Sequence, residues 1–459
     1  MNPEFQRNLW LELTPRRMIL MVVLLALVFF ATAVTTGADH ALIGTLPDTA
    51  EFLFYAIVVV WGTRNAATAV VGEIRDRTWD TQLLSAIGPG AMTWGKLFGS
   101  TIYNWFGGAI CLGVLLSDTL AHHGPVQAGI DLVYYLAVGA ISQAAALLAS
   151  LIAVRRRSAH TRLDVFLYQV VGMIAGAAVW SIWSAADPAG SIITHKPASD
   201  FIVWWGRSLD SRGFLLASLA VFTGWTLVAC YREMRLELKM RNGSLTWLAF
   251  VVFIGVYVAG FDAWLNDDKA LHALDTVVLR LGLALATYAV LTYLMVILEP
   301  KDRVHYRWLG EQLGAGRLGA FWNGLQAWMV AYGAALVVAV ALIARLYSQT
   351  RIDELALIAA GLGFLTRDVA IFVAMRGRQR RGGDLAAIGI LIALYWLAPA
   401  IVGGLGLENL LMAFFPKTTA PIWLSPAVAW AEGIATAALA ISRVAIRNSP
   451  AGRSEPSRA

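Results

Sequence analysis

The chain has 459 residues, of which 58% are hydrophobic and 14% are charged, and its formal net charge is +6. Soluble globular domains carry about 25% charged residues, so this composition excludes an ordinary soluble enzyme or binding module and indicates a polytopic membrane protein. The two cysteines, Cys111 and Cys230, both fall inside apolar runs, which excludes a disulfide framework.

Apolar runs close to the roughly 20 residues of a membrane-spanning helix recur along the whole chain. They predict an all-α polytopic integral membrane protein with about twelve transmembrane helices. The predicted spans are 18–35, 52–71, 97–116, 129–154, 163–183, 214–231, 245–264, 276–298, 325–346, 355–375, 385–402 and 421–442.

The positive charges predict the orientation of these spans. Most of the 36 Lys and Arg fall in segments that share one side of the membrane with the N-terminus. By the positive-inside rule, that side is the cytoplasm, so both termini are expected there. The basic residues are scattered over several segments and form no single stripe, so nucleic acid is not a predicted partner.

The loop between the second and third spans, residues 72–96, combines charged and apolar residues. Four charges follow the second span directly: Glu73, Arg75, Asp76 and Arg77. Each would cost roughly 2.5–3.5 kcal/mol at mid-membrane, so they belong in water or headgroups. Apolar residues then recur at helical spacing: Trp79, Leu83, Leu84 and Ile87. This spacing predicts a short amphipathic helix along the surface, which Gly88-Pro89-Gly90 ends.

The loop resembles the intracellular loop of type-2 ABC exporter permeases. The matching residues are, in order, Glu73–Arg77, Thr78–Ser85, Pro89 and Gly95-Lys96 at the start of the third span. The N-terminus is similar to the amphipathic elbow helix that precedes the first span in that family. Its matching residues are Asn2-Pro3-Glu4-Phe5, Arg7, Leu9, Trp10, Leu13, Arg16 and Arg17. The resemblance covers roughly the first hundred residues and is only architectural beyond them.

The resemblance implies the permease subunit of an ATP-driven exporter in a bacterial inner membrane. Such a subunit is not itself an enzyme and has no cofactor of its own, because cytosolic ABC ATPase partners bind ATP and Mg²⁺. Its other partners are membrane lipids, and its substrate is a lipid, a polysaccharide, a drug-like amphiphile or an ion. The residues implied in docking the ATPase are Glu73, Arg75, Asp76, Arg77, Trp79, Leu83 and Leu84.

The segment Gly90–Lys96 is close to a Walker A phosphate-binding motif. However, Leu97 stands where Ser or Thr must bind magnesium, and the residues before the segment predict a helix where the motif needs a buried strand. Nucleotide binding on this chain is therefore not predicted. We interpret Lys96 as a cytoplasmic anchor of the third span.

The chain is predicted to contain two six-span halves, residues 1–243 and 244–459. The segment Glu299–Arg303 resembles Glu73–Arg77, and each follows the second span of its half. The second half would then have its own cytoplasmic loop, residues 299–324, and it ends in a short basic tail.

Two external segments support this division. Ile202–Trp205 and Leu410–Phe415 each precede the last span of a half, and each is predicted to form a short amphipathic helix at the outer interface. A competing register pairs Thr63–Asn65 with Thr366–Asp368, so the sequence leaves two alignments of the halves open.

Four charged residues lie well away from the ends of predicted spans, where an unpaired charge is costly, so each is a candidate functional residue. They are Arg64 in the second span, Arg367 and Asp368 in the tenth, and Glu432 in the twelfth. One interpretation pairs Arg367 with Glu432 or Asp368 to fix helix packing, and the other places them along a substrate path. Arg64 either lines that path or extends to the inner headgroups.

The midplane carboxylates also support a rival function. An ion-coupled secondary transporter would carry a proton on Glu432 or Asp368, near broken helices at its substrate site. The sequence has no clustered Ser/His/Asp or Cys/His set, and the adjacent His122 and His123 have no further metal ligands near them, so neither an enzyme nor a metal site is predicted.

Overall fold

The computed structural model describes residues 2–36, 45–85, 87–155, 162–185, 201–262, 275–376, 383–418 and 421–445. Within these ranges the chain is helical apart from one two-stranded hairpin, short turns and connecting segments. Eleven of the described helices are long and apolar enough to cross a membrane. The predicted all-α polytopic membrane protein is therefore confirmed. Part of the basic segment 155–162 and the tail 448–459 lie outside the described residues.

Contacts within the chain define two compact units. The first comprises Met1–Ile202 and Ser208–Asn242. Its helices are α1 (Pro3–Glu12), α2 (Pro15–Thr36), α3 (Leu46–Arg75), α4 (Trp79–Leu83), α5 (Pro89–Trp94), α6 (Ile102–His122), α7 (Pro125–Arg155), α8 (Arg162–Ala185) and α9 (Ser211–Glu237).

A π-helical stretch inside α3, Tyr55–Trp61, presents backbone carbonyls to neighbouring helices of the first unit. Side-chain amides of neighbouring helices bond to them: Asn104 Nδ2 donates to Ile57 O at 3.0 Å, and Gln143 Nε2 donates to Val58 O at 3.0 Å. Both amide side chains are fully buried. These bonds satisfy polar groups that have no water to bind at membrane depth.

The second unit comprises Val203–Arg207 and Gly243–Ala459. Its helices are α10 (Leu245–Ala259), α11 (Thr276–Leu298), α12 (Arg303–Gly314), α13 (Leu318–Gly324), α14 (Ala327–Ser348), α15 (Ile352–Arg376), α16 (Gly383–Gly404) and α17 (Leu424–Ala445). A 3-10 helix, Glu408–Ala413, lies in the segment between α16 and α17.

The seventh predicted span, 245–264, is a 15-residue helix, α10, which is shorter than the other eleven spans. At about 1.5 Å per residue it covers roughly 22 Å of a core about 30 Å thick. Two tryptophans bond to carbonyls of its last turn, which have no partner within the helix. Trp204 Nε1 donates to Tyr257 O at 3.0 Å, and Trp205 Nε1 donates to Val256 O at 3.2 Å.

Those tryptophans belong to a hairpin of β1 (Phe201–Trp204) and β2 (Arg207–Asp210). The amphipathic helix predicted over Ile202–Trp205 is therefore wrong. Trp205, with φ of 52°, and Gly206, with φ of 69°, form the tight turn between the strands. The other predicted external helix is the 3-10 helix Glu408–Ala413.

Candidate functional site

The N-terminal helix α1 is seated on the start of the third span. Asn2 caps it, accepting from Glu4 N at 3.1 Å and donating through Nδ2 to Ala91 O at 2.7 Å. Gly95 and Gly99 make the close approach possible. A Cβ on Gly95 would lie 2.5 Å from Glu4 Cγ, and one on Gly99 would lie 2.8 Å from Asn8 Cβ. The four-residue spacing of these glycines forms a groove that fits α1.

Four charged side chains meet where α1, the end of α3 and the start of the third span converge. Lys96 Nζ lies 2.7 Å from Glu4 Oε1 and also pairs with Glu73. Arg7 Nη2 lies 2.9 Å from Glu4 Oε1 and 2.5 Å from Glu73 Oε1. We call this set of two cations and two carboxylates the elbow cluster. Gln82 Nε2 donates to Glu73 at 2.6 Å and so joins the loop to it.

Lys96 is only 1% exposed, so the interpretation of this residue as an interfacial anchor is wrong. Its ammonium is the buried counter-ion of two carboxylates, and it also lies 5.9 Å from the centre of the Trp79 ring. A buried ammonium is tolerated because its charge is paired and its donors are bonded.

The pKa directions outside the spans agree with a charged cluster. Burial alone would raise the pKa of Glu4, but the hydrogen bond and charge of Lys96, together with Arg7, hold it below its ordinary 4.5. Burial likewise disfavours the charged form of Arg7, and Glu73 and Glu4 outweigh it, raising the pKa of that guanidinium. Both residues are therefore ionised at neutral pH.

The amphipathic helix predicted for the loop is only one turn long, and a tight turn at Arg77 separates it from the span helix α3. Arg77 adopts φ of 58°, and the turn is closed by Arg77 N to Ile74 O at 3.2 Å and Thr78 N to Glu73 O at 2.9 Å. This pair of bonds is the Schellman arrangement that ends a helix. The span helix α3 thus continues to Arg75, and α4 is a single turn from Trp79 to Leu83.

The seven predicted docking residues divide into two groups by exposure. Arg75, Asp76, Arg77 and Leu84 are exposed, and Leu84 is 89% exposed. The others face inward: Glu73 is in the elbow cluster, Trp79 is buried in the first-unit core, and Leu83 packs against that core. The exposed residues 75–78, Asp80 and Leu84 form what we call the docking rim.

Helices α15 and α17 of the second unit approach closely because small residues face each other. A Cβ on Gly363 would lie 2.8 Å from the Ala429 backbone, and one on Gly433 would lie 2.9 Å from Gly363 O. This approach brings Glu432 of α17 beside Arg367 of α15. Arg367 lies roughly 22 Å along a helix about 37 Å long.

The Arg367 guanidinium contacts both carboxylates that the sequence analysis named. Nε donates to Asp368 Oδ1 at 3.0 Å, and Nη1 donates to Glu432 Oε2 at 2.8 Å. Nη1 also lies 3.3 Å from Ala413 O of the 3-10 helix, which therefore reaches the depth of Arg367. Irregular backbone is tolerated at such depth only where protein or a cavity surrounds it.

Two tyrosines complete the set, which we call the midspan cluster: Arg367, Asp368, Glu432, Tyr293 and Tyr395. Tyr293 and Tyr395 hydroxyls each donate to Asp368 Oδ2 at 2.7 Å. Tyr395 lies in a π-helical turn of α16, Ala393–Leu397. The guanidinium lies 4.6 Å from the Phe364 ring centre and 5.2 Å from that of Tyr395, a cation–π arrangement.

Arg64 is separate from this cluster and lies in α3 of the first unit. Its side chain is exposed, and within the described residues it forms no ion pair. The structure therefore brings together three of the four intramembrane charges named from the sequence.

Several participants were missed by sequence reasoning. The elbow cluster needs Glu4, Arg7 and Lys96, which the sequence places in separate motifs. The midspan cluster needs Tyr293 and Tyr395, which no sequence motif singles out. The spacing of Gly95 and Gly99 is the one local signal that predicts close helix packing near Lys96.

No protein-family model matches the chain, and neither does any curated protein or any solved structure.

Proposed function

We propose that this chain is the membrane-spanning permease subunit of a type-2 ABC exporter. The observation that carries the proposal is the elbow cluster, which ties the N-terminal helix, the end of the second span and the start of the third span to one charged loop. A partner that binds the loop would therefore act on three elements at once.

The docking rim has the chemistry of a transient interface. The rim carries both signs of charge, on Arg75, Asp76, Arg77 and Asp80, and such a pattern defines how a partner aligns with the loop. Leu84 supplies an exposed apolar contact. The partner is a cytosolic ATPase subunit that binds ATP and Mg²⁺. Movement of the ATPase would pass to α3 through the rigid Schellman turn and to α1 through Glu73, Lys96 and Glu4.

The midspan cluster favours a second candidate, an ion-coupled secondary transporter. Glu432 is a carboxylate at membrane depth with a 35% exposed side chain, beside a π-helical turn and a 3-10 helix. These are the features expected where a transported proton meets a substrate site. The elbow cluster and the docking rim have no role in that mechanism.

The test is purification of the full chain from the membranes of its source, with measurement of bound ATPase activity and identification of the ATPase subunit. Arg75→Glu and Leu84→Asp should weaken the complex by about tenfold or more, about 1.4 kcal/mol. Arg77→Asn removes a charge but keeps a residue that tolerates positive φ, so its effect reports docking and not the turn. Arg207→Glu is the matched control, since Arg207 is an exposed arginine in the hairpin.

An ion-coupled secondary transporter predicts a different result. If the purified chain carries no ATPase and moves solute in vesicles under a proton gradient alone, the secondary transporter replaces the exporter. If an ATPase is bound and every rim variant binds it as the wild type does, the rim is not the docking surface.

A further inference from the structure

One nitrogen of the Arg367 guanidinium is unused. Nε and Nη1 are bonded, but Nη2 is buried and has no hydrogen-bond partner among the described residues. Arg367 is only 2% exposed, so water does not reach it as it would a surface arginine. An unsatisfied buried donor costs about 1–3 kcal/mol, and more when it is charged. A bound group with an acceptor oxygen would remove that cost.

The two carboxylates beside Arg367 are held very differently. Asp368 is fully buried and accepts from Arg367 Nε and from both tyrosines, so it is the permanent counter-ion. Glu432 has one bond to Nη1 at 2.8 Å, and its side chain is 35% exposed. Glu432 is therefore the carboxylate that another anion can displace from Arg367 Nη1, because its partly exposed side chain can move away from the guanidinium.

Neighbouring side chains already fix the Arg367 guanidinium in a position to bind such an anion. The rings of Phe364 and Tyr395 lie 4.6 and 5.2 Å from it, and Nε is fixed by Asp368. When Glu432 leaves, Nη1 and Nη2 present two parallel donors. That fork matches the two oxygens of a carboxylate or a phosphate, which a lysine cannot do.

We propose that Arg367 binds the anionic head of an amphiphile, a carboxylate or a phosphate monoester, and that Glu432 occupies this position when the amphiphile is absent. The depth of the cluster within α15 favours a ligand with an apolar tail, because burial of the tail adds to the pairing with Arg367 and helps to offset the cost of taking the anionic head out of water. Binding at this site requires no ATPase, so it stands apart from the docking proposal.

The experiment uses the full chain in dodecyl maltoside and follows its melting temperature by tryptophan fluorescence. The probes are dodecyl phosphate, dodecyltrimethylammonium as a cationic control, and inorganic phosphate to separate a lipid-like ligand from a free anion. We expect the melting temperature to rise saturably with dodecyl phosphate and not with the other two probes. Glu432→Gln should bind dodecyl phosphate at least tenfold more tightly, because it removes the competing charge. Arg367→Lys should bind it at least tenfold more weakly, because it removes the fork.

The control variant is Arg280→Lys, which changes another partly buried arginine, paired with Asp262 at 3.3 Å, outside the cluster. It should bind dodecyl phosphate as the wild type does. The proposal would be overturned if Arg367→Lys bound dodecyl phosphate as tightly as the wild type does. If Arg367→Lys fails to fold, Glu432→Gln decides: dodecyl phosphate binding that is unchanged or weaker than in the wild type would overturn the proposal. Equal stabilisation by inorganic phosphate would overturn the choice of an amphiphile. Either outcome leaves ATPase co-purification unaffected, so the two proposals fail separately.

Discussion

Lys96 and Arg367 are the basic residues around which the two clusters are built, and their settings differ. Lys96 has Glu4 and Glu73 as partners, and Arg7 balances the second carboxylate, so the elbow cluster is neutral. Arg367 is shared by Asp368 and Glu432, which leaves an excess of negative charge when both are ionised. The first arrangement suits a fixed joint, and the second suits a site with a replaceable partner.

The elbow cluster predicts that Glu4 stabilises the folded protein at neutral pH and that acid removes this stabilisation. The pKa of Glu4 is below its ordinary 4.5, so the stabilisation from its ionised form is fully present above pH 4.5 and is lost as the pH falls further. Glu4→Gln should therefore melt below the wild type at pH 7, and this difference should shrink below pH 4.5. Thermal unfolding in detergent from pH 7 to pH 3 measures it. A difference that is constant across this range would contradict the role given to Glu4.

The midspan cluster predicts unequal costs for its two carboxylates. Asp368→Asn breaks a fully buried ion pair and disturbs two tyrosine hydrogen bonds, so it should cost about 3–5 kcal/mol. Glu432→Gln keeps an acceptor for Nη1 and changes a partly exposed side chain, so it should cost less than about 2 kcal/mol. Melting temperatures of the two variants give the comparison. A larger cost for Glu432→Gln would make it the structural carboxylate.

At the scale of elements, helix ends and irregular turns determine where the functional groups lie. The α3 helix ends at the Schellman turn through Arg77, and α10 ends where the hairpin tryptophans bond to its carbonyls. The 3-10 helix brings Ala413 O to Arg367. At Arg77 the last carbonyls of α3 are bonded by the turn itself, whereas in the other two cases the carbonyls are bonded by side chains of another element.

The hairpin contact with α10 predicts that Gly260 cannot be enlarged. A Cβ at this position would lie 2.2 Å from Trp204 Nε1 and 2.6 Å from Trp205 Cδ1, so Gly260→Ala should destabilise the second unit by about 1–3 kcal/mol. Gly282→Ala in α11 is the matched control, because no atom lies within 4 Å of its Cβ. Thermal unfolding compares them. Equal melting temperatures would mean that the tryptophans do not pack against Gly260 in this way.

At the scale of the whole molecule, large apolar side chains cover the outer faces of the spans. In α2, Ile19, Leu27 and Phe30 are 64%, 63% and 70% exposed, and in α16 Leu385 and Trp396 are 75% and 79% exposed. Faces of this size do not stay exposed to water in a soluble protein. They are the surfaces that lipid covers, so the folded protein needs a membrane around each unit.

The orientation of the spans predicts a labelling pattern. Thr78 lies in the loop predicted to be cytoplasmic, and Tyr347 lies at the predicted outer end of α14; both are exposed. In intact cells, a membrane-impermeant thiol reagent should label Tyr347→Cys and not Thr78→Cys. The wild type is the control, because Cys111 and Cys230 are buried. The reverse pattern would invert the topology and remove the docking rim from the ATPase side.

The sequence by itself determined the class of this protein, the number of its apolar segments and the position of the charged loop. These are local properties, since the hydropathy of about 20 consecutive residues decides whether they span a bilayer. It also identified Arg367, Asp368 and Glu432 as costly charges, because their cost depends on depth in a span and not on their partners.

Only the tertiary structure decided which charges meet and which stay exposed. Lys96 resembles an interfacial anchor until α1 packs into the groove of Gly95 and Gly99 and places Glu4 beside it. The resemblance implies that Trp79 docks the ATPase, but after the left-handed turn at Arg77 its side chain lies in the core of the first unit. Burial and pairing depend on residues that are distant in the chain, and no local window of sequence contains both partners.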